Sequence, residues 1–115
     1  MQDEEERKYS WRPYRFFAPS PNIIVDKYLP YIGSTGLALY TYYARLISNT
    51  LGYAYPALST TAKKLDISEN TVTKYNEILV AIGLIEIGKG AGRRNNRYYL
   101  KRPSSKVLAK YKRSL

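Results

Sequence analysis

Pro56-Ala57-Leu58-Ser59-Thr60-Thr61-Ala62-Lys63-Lys64-Leu65-Asp66-Ile67-Ser68-Glu69-Asn70-Thr71-Val72-Thr73-Lys74 is the stretch whose reading decides the fold. Its apolar spacing predicts two helices that meet at a tight corner. In the first, Ser59 stands as the cap, and Leu58, Ala62 and Leu65 form the buried side. Asp66 occupies the turn and Ile67 plugs the corner. Ser68 then caps the second helix, and Glu69 in its first turn complements the helix dipole. The core face continues through Val72, Tyr75, Leu79 and Ile82, at intervals of three, four and three. Gly83 supplies the left-handed residue that ends the helix.

Downstream, residues 84–87 read as a strand, residues 88–96 as a glycine- and asparagine-rich loop, and residues 97–100 as the returning strand. After Pro103-Ser104-Ser105, residues 106–115 read as either a short basic helix, with Val107, Leu108 and Tyr111 on one side, or a loose tail. Upstream, Tyr53-Ala54-Tyr55-Pro56 reads as a short strand with a stop. Before it, Gly33-Ser34 starts a helix capped by Ser34. Leu37, Tyr40, Ala44 and Ile47 recur at helical spacing, Leu39, Tyr43 and Leu46 widen the stripe, and residues 49–52 close the helix. Earlier still, Asn22 is placed to cap a helix over residues 23–29, which Pro30 ends within about a turn. Tyr14-Arg15-Phe16-Phe17 reads as a strand. The expected organisation is a charged arm over residues 1–13, one domain over 14–102, and a basic tail or short helix over 103–115. The fold class is mainly α with a small antiparallel β-sheet.

Composition narrows the chemistry. A chain of 115 residues with 44% hydrophobic content has room for one modest core. No apolar run reaches the ~18 residues that a membrane-spanning helix needs. The acidic start, Met1-Gln2-Asp3-Glu4-Glu5-Glu6, lacks the apolar stretch of a signal peptide. Cysteine and histidine are both absent, which fits a reducing cytoplasm and removes the commonest metal ligands and general base. The remaining acids, Asp26, Asp66, Glu69, Glu77 and Glu86, are dispersed over helix, turn and strand positions, so no enzymatic role and no cofactor are expected. Gly83 and Gly88-Lys89 have phosphate-loop spacing by coincidence, because Gly90 stands where a magnesium-holding Ser or Thr belongs and the intervening residues are a strand. The net charge is +10, and residues 87–115 hold ten lysines and arginines with no acid. A polyanion is the expected partner.

The quoted stretch resembles the reading head of bacterial winged helix-turn-helix proteins. The continuation Leu79-Val80-Ala81-Ile82-Gly83-Leu84-Ile85-Glu86 is similar to the same families, where the recognition helix runs into the first wing strand. Pro21-Asn22-Ile23-Ile24-Val25-Asp26-Lys27-Tyr28-Leu29-Pro30 and the Leu/Tyr-rich helix after it resemble the N-terminal domains of phage and plasmid replication proteins, including the DnaD-like group. The likeness covers residues 22–101, and its specific part is 59–87. It implies a winged helix-turn-helix fold and self-association. Two departures stand out. Asp66 occupies the turn where many such families carry glycine, and 115 residues leave no space for the effector domain of ligand-sensing regulators.

In that arrangement Ser68, Asn70, Thr71, Thr73 and Lys74 lie along the start of the helix that enters the major groove. On an arbitrary helix they would simply be a solvated face; between this turn and this hairpin they are expected to contact DNA. Lys89, Arg93, Arg94, Asn95, Asn96 and Arg97 form the wing, suited to phosphate or a narrow minor groove. Ser59, Thr60 and Thr61, with Lys63 and Lys64, are placed to donate to phosphates, although capping alone explains Ser59 equally well. Tyr40, Tyr42 and Tyr43 are core residues, some of which are candidates for a dimer face. The expected function is sequence-specific binding of double-stranded DNA by a cytoplasmic homodimer, as a small transcriptional regulator of bacteria or a mobile element. One alternative is the DNA-binding module of a replication-initiation protein. Another is a winged-helix protein–protein adaptor. No small-molecule ligand is evident.

Overall fold

Four α-helices and one two-stranded antiparallel sheet make up the computed structural model, which describes residues 23–47 and 52–115. The charged arm, the strand expected at Tyr14 to Phe17, the Asn22 cap and the helix closure near Asn49 lie outside the described residues. A π-type turn, Ile24–Tyr28, leads into α1, Leu29–Leu46, with the Leu29 amide donating to the Ile24 carbonyl. Pro30 falls in the first turn of α1, where a missing N–H costs nothing. The break expected at Pro30 comes instead at Gly33, whose φ of 71° only glycine adopts freely. Beyond that kink, Leu39, Tyr40 and Tyr43 are fully buried, while Leu37, Ala44 and Ile47 pack at the margin of the core. Leu46 is 41% exposed and leaves the stripe.

The corner forms as its residues dictate, with one shift. Helix α2, Leu58–Leu65, begins two residues earlier than the expected Ser59 cap implies, and Ala57 is its N-cap without a side-chain bond. Ser59 is therefore not the cap. Leu58 joins the first turn because its side chain packs on the core, and the Thr61 amide closes that turn on the Ala57 carbonyl at 3.0 Å. Asp66 ends the helix in the left-handed region, at φ 57° and ψ 48°. Its amide reaches the Lys63 carbonyl at 3.2 Å, and the Ile67 amide reaches that of Ala62 at 3.0 Å, which is a Schellman closure. Because a β-carbon in this conformation is strained, Asp66→Gly is expected to gain about 1 kcal/mol, while Asp66→Ala keeps the β-carbon, loses the short polar side chain that eases the left-handed region, and gains nothing. Urea unfolding of the two variants checks this order.

Helix α3, Glu69–Ala81, is capped by Ser68, whose hydroxyl accepts from the Thr71 amide at 3.1 Å. Val72, Leu79 and Ile82 are fully buried, and Tyr75 lies at the core margin. Gly83 repeats the closure of α2: at φ 82° its amide bonds the Val80 carbonyl at 3.1 Å, and Leu84 bonds Leu79 at 2.9 Å. Strand β1, Ile85–Gly88, pairs antiparallel with β2, Arg97–Leu100, in the register Ile85↔Leu100 to Gly88↔Arg97. The third strand expected at residues 53–56 shrinks to a single bridge between Ala54 and Tyr98, since Pro56 has no amide with which to extend it. Finally α4, Ser105–Arg113, is capped by Ser104 and docks Leu108 into the core. Val107 covers Gly83 so closely that an added β-carbon there would lie 2.6 Å from Val107 Cγ1. The two readings left open for the basic tail resolve in favour of the helix. No helix among the described residues is long and apolar enough to cross a membrane.

Candidate nucleic-acid interface

Burial of Val72, Asn76 and Leu79 on one side of α3 turns Asn70, Thr73, Lys74 and Glu77 outward, and all four are exposed. The side chains of Asn70 and Thr73 make no hydrogen bond with any other described residue, so an amide and a hydroxyl are presented to solvent. The Lys74 ammonium lies 5.5 Å over the Tyr75 ring. Ser68 and Thr71 behave differently. Their hydroxyls lie 2.9 Å apart and Ser68 also holds the Thr71 amide, so both side chains are committed to the cap.

On α2, Ser59 and Thr60 are exposed in the first turn, and Lys63 and Lys64 are exposed in the last. Thr61 is only 1% exposed. It sits beside Ala62 on the inner side of the helix, so its hydroxyl is not offered to a phosphate. This removes one of the three hydroxyl donors expected there.

The loop between the strands carries Lys89, Arg93 and Arg94, all exposed. Hydrogen bonds fix its path at several points. The Arg94 amide closes a turn on the Ala91 carbonyl at 3.0 Å, with Gly92 left-handed at φ 58°. Asn95 donates from Nδ2 to the Tyr55 carbonyl at 3.0 Å, and Asn96 Oδ1 accepts the Gly90 amide at 3.3 Å. A β-carbon on Gly90 would run into the backbone of Arg94 and Asn95. The two asparagines are thus braces of the loop. Arg97 is half-buried at its base, with its guanidinium 4.9 Å over the Tyr53 ring. Lys89, Arg93 and Arg94 remain as the projecting cations.

The helix and the hairpin adjoin. Thr73, Glu77 and Val80 of α3 face Ile87, Asn96 and Tyr98 of the hairpin across a groove of about 420 Å³. What aligns the two elements lies beneath it. The Tyr43 hydroxyl donates to Asn76 Oδ1 at 2.7 Å, and the Tyr43 ring stacks on Tyr98 at 4.5 Å and 14°. One side chain of α1 therefore ties α3 to β2. Burial pushes the Tyr43 and Tyr98 hydroxyls above the usual phenol range. Asn76 is 7% exposed and escapes a reading by residue type, because asparagine counts as a surface residue. Its spacing is the available signal: it falls four after Val72 and three before Leu79.

The assembled surface offers amide, hydroxyl, ammonium and guanidinium donors beside a shallow groove, which suits a polyanion with hydrogen-bonding edges. Among the described residues no group of three or more histidines, cysteines and acids could hold a metal ion. Compared with protein-family models, curated proteins and solved structures, the chain finds no match.

Proposed function

We propose that the protein is a winged helix-turn-helix DNA-binding protein that reads specific duplex sequences in the cytoplasm, acting as a small transcriptional regulator. Helix α3 would enter the major groove with Asn70, Thr73 and Lys74 toward base edges. Lys89, Arg93 and Arg94 would meet the backbone or minor groove, and Ser59 and Thr60 a flanking phosphate. The observation that carries this reading is the groove shared by the outward face of α3 and the base of the cationic loop. A lone reading helix covers few base pairs, so a homodimer on a pseudopalindromic site is part of the proposal. The resemblance of residues 21–30 to phage and plasmid replication proteins favours a second reading, the DNA-binding module of a replication-initiation protein, which needs the same surface.

Titration of the full chain against random duplex at rising salt tests the proposal. A DNA reader loses affinity steeply, with a log–log slope of about −0.9 per phosphate neutralised. Weak binding with a flat slope would instead indicate an adaptor for an acidic protein. Selection from a random duplex pool then returns the motif, its symmetry and its half-site spacing together.

A further inference from the structure

We infer that Glu77 is a specificity-determining residue that accepts a hydrogen bond from the exocyclic amine of a cytosine in the major groove, an inference that rests on the DNA-reading proposal above. The chain carries a net charge of +10, yet an acid stands in the middle of the outward face of α3. Glu77 follows Asn70 by seven residues, so the two lie almost in line along the helix, about 10 Å apart. That distance is roughly three base-pair steps. Thr73 lies between them in height, on the side toward the hairpin.

Nothing in the described fold uses this carboxylate. The ion pair formed among the described residues is Lys101–Glu86, at 3.2 Å on the sheet. Lys74 is three residues before Glu77 and within reach of it, but its ammonium lies over Tyr75 instead. Glu77 sits mid-helix, too far from either end to cap it or to complement its dipole. An unpaired acid at this point repels the phosphates of any duplex. It is tolerable in a reading helix where a base donor meets it.

Major-groove chemistry then selects the base. Guanine and thymine present only acceptors to such a carboxylate. Adenine offers its N6 amine beside the N7 lone pair, which repels the second carboxylate oxygen. Cytosine offers its N4 amine with no neighbouring acceptor. Glu77 therefore favours cytosine and opposes the other three bases.

The test compares the full-length wild type with Glu77→Ala and Glu77→Gln, by selection from a random duplex pool and by affinity for random duplex at one salt concentration. The expected wild-type motif holds a preferred cytosine about three base pairs from the position that Asn70→Ala alters. Glu77→Ala relaxes that position by about five- to tenfold, leaves the others intact and binds random duplex more tightly. Glu77→Gln, which gains donors, shifts the position toward bases that present acceptors. If Glu77→Ala strengthens all sequences equally and changes no position, Glu77 is only a charge and the inference falls while DNA reading stands. If the wild type enriches no motif and binds with a flat salt dependence, the functional proposal falls and this inference with it.

Discussion

Tyr43→Ala is expected to lose about 3–5 kcal/mol of stability, the range for removing a large buried aromatic side chain. Tyr43 is 1% exposed, stacks on Tyr98 and donates to Asn76, so truncation removes ring contacts and leaves a buried amide oxygen without its donor. Against a typical total of about 5–15 kcal/mol, such a loss leaves a marginal domain. Tyr43→Phe separates the two contributions, because it keeps the ring and removes only the hydroxyl, at a cost of about 1–3 kcal/mol. Urea unfolding of both variants measures these losses. Extended to wild type, Tyr43→Phe, Asn76→Ala and the double variant Tyr43→Phe/Asn76→Ala, it closes a double-mutant cycle that measures the coupling. A Tyr43→Phe protein as stable as wild type would show that the hydrogen bond does not hold α3 to α1.

The second large effect is on binding. Replacing Arg93 and Arg94 together by alanine is expected to weaken binding by about a hundredfold, at roughly 1.5 kcal/mol for each charged contact. The salt slope should become shallower by about two, one phosphate per arginine. The selected motif should not change, because phosphate contacts position the protein and carry no sequence information. Thermal stability should not change either, since both side chains are exposed. Asn70→Ala provides the contrast, with a loss of about 1–3 kcal/mol of preference at one base position and no change in salt slope. A double arginine variant that alters the motif, or leaves the slope untouched, would mean that the loop does not lie on the backbone.

These expectations rest on a division of the loop and helices that residue types alone do not make. Arg97 and Arg93 read alike as cations of one hairpin, yet Arg97 is held over Tyr53 while Arg93 is exposed. Asn70 and Asn76 lie on one helix, and both are asparagines. One faces solvent and the other accepts from a tyrosine 33 residues away in sequence. Thr60 and Thr61 are neighbours on α2 with opposite exposure. In each pair the chemistry is identical and the packing differs.

From its residues alone the chain declares what short-range physics controls. Ser68 caps its helix through an amide three residues on, and Asp66 and Gly83 end helices because their backbones tolerate the left-handed region at the position where a Schellman closure needs it. The returning strand over Arg97–Leu100 and the acid-free basic stretch are equally local, a matter of β-propensity and composition. Tertiary structure alone decided the start of α2 at Leu58, the burial of Thr61 and Asn76, the docking of α4 over Gly83, and the bracing of the loop through Asn95 onto a carbonyl 40 residues earlier. The reason is that a polar side chain is held inside or left outside by partners that the fold brings together, and their distance along the chain hides them from any periodicity.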